Sequence, residues 1–232
     1  MFIKFKKLLK SKIYIGYINK NIHCTNYKFI YKIINNKICI YDFTIISIYL
    51  YKLYLYIYNI NFLNQKILFI NNNKYNIIFI NNFIIKICKL MNYFYILKWI
   101  PGLLTNWIII KKKIIVYLWL NKILFNIYFT TILSKKCLIY LKNLYNKLFK
   151  YLDGIKYMIN LPKYIFLMHF NNNIIINEII KLKLILISFI NISMDSNLIN
   201  IKIIGNNFNY KSLCLIFKII YTSMIYSKIK NM

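Results

Sequence analysis

The chain has 232 residues, enough for one α/β domain with an insertion and a sizeable buried core. Its composition is 60% hydrophobic, and 33 basic residues stand against 4 acidic ones, which gives a formal net charge of +29. Such a charge excludes a protein that functions without an anionic partner, and it indicates either nucleic acid or an anionic membrane.

Codon bias accounts for part of this charge. Ile, Asn, Lys, Tyr and Phe dominate the sequence, whereas Ala and Arg are absent and only 4 Gly and 2 Pro remain. The abundant residues have A/T-rich codons, which is typical of a strongly A/T-biased genome such as a reduced organellar one. Part of the lysine excess is therefore mutational drift and not a functional signal.

The cysteines and the hydropathy bear on the compartment. The 5 cysteines are scattered and none forms a C-x-x-C pair, so we expect idle free thiols in a reducing compartment and no metal site. We expect no cleavable targeting segment, because the basic residues 1–12 are not followed by an uninterrupted apolar run.

The mean hydropathy of +0.51 raises a membrane alternative. The run Thr44 to Gln65, broken only by Lys52, is long enough to span a bilayer, but no comparable run recurs.

The first twelve residues alternate lysine with apolar side chains. This pattern predicts a short amphipathic helix with a basic face. The lysines serve either as point charges that contact phosphate or as a solvated arm, and the pattern does not separate these two interpretations. They are Lys4, Lys6, Lys7, Lys10 and Lys12.

Strand and helix patterns alternate from residue 29 to residue 95. Short apolar runs bounded by polar residues are typical of buried strands, and longer runs between them indicate helices. Asp42 falls where a strand meets a helix, so we expect its carboxylate to cap free N–H groups. The predicted strands are 29–32, 38–43, 66–70 and 93–95, and the predicted helices are 44–60 and 75–90.

A distinctive turn, K-W-I-P-G-L-L-T-N-W, follows at Lys98–Trp107. Pro101 requires a negative φ in a trans turn, and Thr105 is a good N-cap for a helix that begins at Asn106. Beyond it, apolar residues recur with alternating steps of three and four, the spacing of coiled coils. One series is Trp107, Ile110, Ile114, Tyr117, Asn121, Leu124 and Tyr128, and the other is Leu138, Leu141, Tyr145, Leu148 and Leu152.

These series predict an antiparallel helical hairpin over residues 106–151, joined near residues 130–135. Strand patterns return at 165–168 and 184–189, and a final helix is predicted for 210–228. Strand–helix alternation on both sides of a hairpin predicts an α/β fold with a doubly wound parallel sheet, a flavodoxin-like three-layer sandwich, into which the hairpin is inserted. The body would consist of residues 1–105 and 152–232.

Several segments resemble the S-two family of small-subunit ribosomal proteins from bacteria and organelles. W-I-P-G-L-L-T-N-W at 99–107 resembles the family's W-x-G-G-x-L-T-N-W, with Pro101 in place of a glycine. D-G-I-K-Y-M-I-N-L-P at 153–162 resembles G-G-I-K-D-M-G-G-L-P-D, and I-Y-I-G-Y at 13–17 resembles V-H-F-G-H with tyrosines for both histidines. The resemblance extends over roughly residues 8 to 228.

The resemblance implies a structural protein of the small ribosomal subunit, placed between head and body. Its implied partners are small-subunit rRNA and neighbouring ribosomal proteins, with no small-molecule substrate and no membrane. The organelle would be a plastid of the apicoplast type, or else a mitochondrion. Glu178 matches the acidic residue of the family's I-A-I-K-E-A helix, and we expect it to form a salt bridge or a cap.

Candidate RNA-binding residues follow from charge and position. Because arginine is absent, bidentate recognition of phosphate is unavailable and binding depends on shape and point charge. The candidates are the five lysines of residues 1–12 together with Lys20, Lys28, Lys32, Lys98, Trp99, Asn106, Lys111, Lys112 and Lys113.

No catalytic chemistry is indicated by the sequence. It contains no P-loop, no G-x-G-x-x-G and no recognisable nucleophile–base arrangement, and the four carboxylates lie far apart. We therefore expect no enzymatic activity, no cofactor and no metal. Two alternatives stay open at this point, a small basic integral membrane protein of an organelle and an α/β enzyme with carboxylates or histidines converging at the carboxyl ends of the strands.

Overall fold

A computed structural model describes residues 4–17, 22–35, 37–71, 78–169, 173–190 and 192–231. Within these ranges the chain forms eight strands and eight α-helices. The strands are β1 (Ile15–Tyr17), β2 (Ile30–Ile34), β3 (Ile38–Tyr41), β4 (Ile67–Ile70), β5 (Phe94–Ile96), β6 (Tyr164–Leu167), β7 (Ile185–Phe189) and β8 (Ile201–Ile203). The helices are α1 (Phe5–Ser11), α2 (Phe43–Phe62), α3 (Ile78–Met91), α4 (Trp107–Leu124), α5 (Ile127–Ile132), α6 (Lys135–Leu152), α7 (Asn173–Lys181) and α8 (Tyr210–Lys230).

Five parallel strands form the central sheet in the order β5-β4-β6-β7-β8. Counted along the chain this is 2-1-3-4-5, the flavodoxin-like order. Phe69 of β4 pairs with Tyr95 on one side and Phe166 on the other. β4 is buried at every residue, and β6 and β7 at all but their first, which requires cover on both faces of the sheet. The predicted α/β class with a parallel sheet is therefore confirmed.

The first three strands do not join the parallel sheet. They form a separate antiparallel sheet in the order β1-β3-β2. Only residues 35–37 connect β2 to β3, and so short a connection joins antiparallel neighbours, whereas a parallel pair needs a crossover of a dozen or more residues. The sequence pattern predicted that the strands before the turn belong to the parallel sheet. The structure corrects this prediction for β2 and β3.

The helices between β5 and β6 also differ in part from the sequence prediction. Trp107, Ile110, Ile114 and Tyr117 lie on the buried or half-buried side of α4, as predicted. The series fails at Tyr128, whose side chain is 68% exposed, because α4 ends at Leu124 and a short helix α5 follows before α6. The side chain of Asn126 accepts the Tyr128 N–H at 3.0 Å and so starts α5.

Helices α2, α3 and α8 pack together beside the sheet. The Phe83 ring of α3 lies 5.2 Å from the Phe217 ring of α8, and Asn61 of α2 donates to the Met224 carbonyl of α8 at 2.8 Å. At the start of α2, Asp42 accepts the Thr44 N–H at 2.7 Å, so the predicted cap is confirmed.

In the described part of the chain, α8 is the one helix long and apolar enough to cross a membrane. Half of its most apolar stretch is buried inside the protein, against α2 and α3, as in the core helix of a folded domain. The run Thr44–Gln65, the strongest candidate in the sequence, contains all of α2 except Phe43, and α2 is not apolar enough to count as a spanning helix. The membrane alternative is therefore not favoured.

Candidate RNA-binding surface and the turn that positions it

The turn before α4 is held by a buried carboxylate. Glu178 of α7 accepts the N–H groups of Gly102 at 2.8 Å, Leu104 at 3.0 Å and Thr105 at 3.3 Å. Gly102 has φ +80°, a conformation that favours glycine because it lacks a Cβ. Glu178 thus caps a loop 73 to 76 residues away in sequence, which confirms the cap expected for it.

Thr105 has a different role from the predicted one. The N-cap position of α4 is Asn106, whose side chain makes no capping hydrogen bond. The N–H and hydroxyl of Thr105 instead donate to Glu178 at 3.3 Å and 3.5 Å. Pro101 lies in a trans peptide and is not among the described residues with positive φ, as expected.

A second carboxylate, Asp153, joins the sheet to the end of α6. It accepts the hydroxyls of Tyr95 at 2.9 Å and Tyr117 at 3.1 Å, and the Lys156 ammonium at 2.9 Å. Burial by itself raises the pKa of Asp153, but the hydrogen bonds from Lys156, Tyr95 and Tyr117 outweigh it and lower the pKa. Gly154 is required here, because a Cβ would lie 2.1 Å from the Tyr95 carbonyl oxygen.

The two remaining carboxylates are caps as well. Asp42 begins α2, and Asp195 accepts the Asn197 N–H at 2.8 Å. All four carboxylates of the chain therefore serve its own backbone, hydroxyl or ammonium groups. Among the described residues, Lys156 and Asp153 form the single ion pair in contact, so few of the other described lysines have a carboxylate of the chain near them.

His169 follows β6 at the carboxyl edge of the parallel sheet. Burial lowers its pKa to about 4, and its Nδ1 lies 3.2 Å from the Asn207 side-chain nitrogen. Within the described ranges, no group of three or more His, Cys, Asp or Glu side chains is placed to hold a metal ion.

The cysteines are free thiols, and burial raises the pKa of Cys39 to about 11.

The amino-terminal lysines lie on the outside of a short helix. α1 buries Leu8 and Ser11 and exposes its basic residues. The Phe5 ring packs 4.9 Å from the Phe43 ring at the start of α2, which fixes α1 against the body. The exposed candidates here are Lys4, Lys6, Lys7, Lys10 and Lys12.

Lys28 and Lys32 are exposed on and before β2. The structure adds Lys202 of β8, which the sequence did not single out. Burial lowers the pKa of Lys202, the positive charge of Lys28 lowers it further, and the Asp195 carboxylate opposes both. The charges of Lys28 and Lys202 therefore act on each other although 174 residues separate them, which only the tertiary structure reveals.

The candidates around the turn divide into surface and core. Lys98, Asn106, Lys112 and Lys113 are exposed, and Lys111 is half-buried with its ammonium 5.9 Å from the Trp107 ring. The indole of Trp99, in contrast, is only 7% exposed and packs in the core. The remaining candidate, Lys20, lies outside the described residues.

Comparison with known proteins identifies relatives over almost the whole chain. The family model described as Ribosomal protein S2 matches residues 8–227. The chain is 31% identical over 234 residues to small ribosomal subunit protein uS2c of Toxoplasma gondii, a match that covers 99% of this chain and 98% of that protein. It is 28% identical over 228 residues to small ribosomal subunit protein uS2c of Phaeodactylum tricornutum (strain CCAP 1055/1), covering 97% and 98%. The matches include both sheets and the helices between them.

Proposed function

The chain belongs to the ribosomal protein S2 family and is a structural constituent of the small ribosomal subunit, and from this we propose that it binds small-subunit rRNA through lysines on several elements. The observation that carries the proposal is the unneutralised charge. The chain has a net charge of +29, and its four carboxylates are used internally. Phosphates would neutralise these lysines and release counterions, which makes binding strongly dependent on salt.

The proposed contacts come from three places on the surface. The lysines in and next to α1 are exposed, Lys28 lies before β2 with its charge acting on Lys202 of β8, and Lys112 and Lys113 are exposed on α4. Lysine acts as a point charge and does not read base edges by a bidentate fork. Recognition therefore depends on the placement of charge on a rigid body and on the shape of the RNA, and exposed tyrosines such as Tyr31 supply rings for unstacked bases.

A substitution of four lysines in and next to α1 tests this proposal. Lys4, Lys6, Lys7 and Lys10 are each replaced by Gln, and binding to small-subunit rRNA is measured by filter retention at several salt concentrations. Four lost phosphate contacts reduce the slope of log K against log salt by about 3. The matched control replaces four exposed lysines of α8 by Gln, namely Lys211, Lys218, Lys228 and Lys230. An equal reduction in both variants would show a diffuse charge effect and would contradict a specific role for α1.

We further propose that residues 106–151 form an antiparallel helical hairpin that projects from a body made of residues 1–105 and 152–232. The Tyr117 ring of α4 stacks on the Tyr145 ring of α6 with centroids 5.4 Å apart. The residues of the second predicted series, Leu138 to Leu152, are all buried or half-buried. Both observations support two helices packed along their length.

Spin labels on α4 and α6 test the direction of the hairpin. An antiparallel pair places residue 112 near residue 150 and far from residue 135, since these two positions lie roughly 20 Å apart along α6 at about 1.5 Å per residue. Labels at Lys112 with Lys150, and at Lys112 with Lys135, give these distances by pulsed electron resonance. If the pair with Lys135 is the shorter one, the antiparallel arrangement is wrong.

The organelle is proposed to be a plastid, with a mitochondrion as the second choice. The relatives named uS2c match nearly the full chain, and the A/T-codon composition is typical of a reduced organellar genome. Sedimentation of plastid lysate through sucrose gradients at low and high magnesium tests this. The chain is expected with small subunits at low magnesium and with whole ribosomes at high magnesium. Recovery with mitochondrial ribosomes instead would contradict the plastid proposal.

We also propose that the chain has no reaction of its own. An α/β enzyme would need carboxylates or histidines free to meet a substrate at the carboxyl ends of the parallel strands. Here Asp42, Asp153, Glu178 and Asp195 are each engaged in a cap or a hydrogen-bond network, which supports a structural role.

A further inference from the structure

A pocket opens at the amino-terminal edge of the parallel sheet. It lies where α2, α3 and α8 end, beside the residues that lead into β4 and β5, and its volume is about 280 Å³. Small-molecule sites in proteins begin at about 300 Å³, so this volume suits a ligand the size of one nucleotide. Five of the nine residues that line the pocket are Asn or Gln, and two are Lys.

Two of the amides hold the walls of the pocket together. Asn61 accepts the Tyr93 hydroxyl at 2.8 Å and donates to the Met224 carbonyl at 2.8 Å. Asn231 donates to the Phe62 carbonyl at 2.9 Å. These bonds fix the ends of α2 and α8 relative to each other and to the start of β5, so the pocket has fixed walls.

The other three amides are available to a ligand. Asn64 and Asn92 follow the ends of α2 and α3, both have φ +54°, and their side chains form no hydrogen bond to another described residue. The Gln65 side-chain oxygen is buried and, within the described part of the chain, has no hydrogen-bond donor. A buried acceptor without a donor costs free energy, so turning this amide toward an N–H group of a ligand is favourable.

Two lysines make the pocket positive. The Lys66 ammonium lies 5.1 Å from the centre of the Phe94 ring, and Lys228 belongs to the last turn of α8. In the described part of the chain, neither lies within ion-pair distance of a carboxylate. Their two unit charges exceed the partial negative charge of the three helix ends, about half a unit each. The pocket therefore disfavours a metal cation and favours an anion such as phosphate.

The combination of amides and lysines matches the chemistry of a nucleotide. Asn and Gln side chains offer a donor and an acceptor side by side, the pattern that reads the edge of a base. Bare phosphate would leave the amides unused, and an apolar ligand would leave both the amides and the lysines without partners. Met91, which also lines the pocket, supplies an apolar contact for the face of a base.

We propose that the pocket binds one nucleotide, with its phosphate at Lys66 and Lys228 and its base at the amides of Asn64, Gln65 and Asn92. An unpaired nucleotide of small-subunit rRNA and a free mononucleotide share this chemistry. In the first case the proposal rests on the RNA binding proposed above, and it adds a base contact to the phosphate contacts. Because Lys228 is one of the four α8 lysines substituted above, that variant should lose one phosphate contact here, against four for the lysines in and next to α1.

Equilibrium dialysis of the purified chain with the four nucleoside monophosphates tests the pocket. At least one of them should bind saturably and more tightly than inorganic phosphate. Asn64→Gly and Asn92→Gly keep the left-handed backbone and remove only the amide, so each should weaken binding about fivefold, the effect of one lost hydrogen bond. The matched control is Asn35→Gly, at φ +49° between β2 and β3, which should leave binding unchanged.

Lys66→Gln separates the phosphate contact from the base contact. Binding of the monophosphate should weaken about tenfold, whereas binding of the corresponding nucleoside should not change. The proposal is overturned by any of three results, namely no saturable binding of a monophosphate, equal affinity for inorganic phosphate, or unchanged affinity in both Asn→Gly variants.

Assembled small subunits identify the source of the nucleotide. If an rRNA nucleotide fills the pocket, the combined Asn64→Gly and Asn92→Gly chain should bind rRNA about 25-fold more weakly in filter retention, since two hydrogen bonds are lost. If the ligand is free, rRNA affinity is unchanged, and subunits with the original chain bind one more monophosphate than subunits with the substituted chain. A result with neither effect overturns the proposal.

Failure of rRNA binding has a different signature. A purified chain that binds the monophosphate but does not bind small-subunit rRNA contradicts the proposed function and leaves the pocket as a site for a free nucleotide. A chain that binds rRNA with the expected salt dependence, but binds no monophosphate, contradicts the pocket alone.

Discussion

The parallel sheet and the helices α4 to α6 differ in how completely they bury their apolar side chains. In the body, β4, β6 and β7 are buried on both faces and the Phe69 and Phe166 rings stack 5.0 Å apart. In α4 to α6, apolar side chains lie on the outside as well as the inside, and α5 has no buried residue. The parallel sheet is therefore covered on both faces, whereas α4 and α5 leave many apolar side chains exposed.

The two regions meet where the buried carboxylates are. Glu178 holds the turn that leads into α4, and Asp153 holds the chain where it leaves α6. In a protein with only 4 acidic residues, two thus fix the entry to and exit from the same segment. The contrast teaches that two buried carboxylates hold the joint between the regions, while the helices beyond it expose apolar side chains.

The largest effect is expected from Glu178→Ala. The substitution leaves three backbone N–H groups without their acceptor, in a site where the carboxylate is buried. Hydrogen bonds to charged groups contribute about 1.5–3 kcal/mol each, with incomplete additivity, so the free energy of unfolding should fall by about 4 kcal/mol. Urea unfolding followed by tryptophan fluorescence measures it. Glu178→Gln keeps one oxygen and should lose about half as much, and a loss below about 1 kcal/mol with Ala would refute the role of the cap.

Gly154→Ala should have the next largest effect. The new methyl group would lie 2.1 Å from the Tyr95 carbonyl oxygen, so the backbone of β5 or the end of α6 must move. Overpacking of this kind costs about 3 kcal/mol. Gly102→Ala is the matched control, since its methyl group has more room but its φ of +80° is unfavourable, at about 1 kcal/mol. If the two variants unfold at the same urea concentration, close packing at residue 154 is not the reason for its glycine.

Asp153→Asn should alter the acid side of the stability profile. The folded pKa of Asp153 is lowered, so its contribution to stability is present above the ordinary aspartate value of about 4 and is lost as pH falls through the folded pKa. At pH 7 the variant should lose about 1–2 kcal/mol, and the slope of unfolding free energy against pH below about pH 4 should flatten. Asp195→Asn keeps an oxygen that can accept the Asn197 N–H, so it should lose less. A wild-type acid slope in Asp153→Asn would show that the network does not depend on the ionised carboxylate.

The smallest effect is expected on the outer side of α4. Ile115→Ser removes an exposed side chain and should change the free energy of unfolding by less than about 0.5 kcal/mol. Ile114→Ser, one residue earlier on the buried side, should cost about 3 kcal/mol. Comparable losses in the two variants of the isolated chain would mean that the outer side already packs against the body.

Several features of the fold were readable from the sequence because they are local. Apolar runs bounded by polar residues located β4 and β7, and the three–four spacing located the buried side of α4. The position of Asp42 at a strand–helix boundary predicted that its carboxylate caps α2. The blocks at 99–107 and 153–162 pointed to the family, since few Gly and Pro residues survive elsewhere in this composition.

The candidate site was predicted less well, because exposure depends on neighbours distant in the chain. Trp99 lies in a motif rich in aromatic residues, and only packing places it in the core. Lys202 gave no signal in the sequence, yet in the folded chain the charges of Lys28 and Asp195 both act on its pKa. Charge and spacing alone identify lysines, but they do not say which of them share a surface.

The sequence by itself therefore determined the class of the fold, most of its elements and the family, all of which follow from periodicity, composition and short motifs. The tertiary structure alone decided that β1 to β3 form their own antiparallel sheet, that Thr105 serves Glu178 instead of capping α4, and that the outer side of α4 stays uncovered. Each of these depends on contacts between groups far apart in the chain. Glu178 meets the turn across as many as 76 residues, a separation that no local pattern encodes.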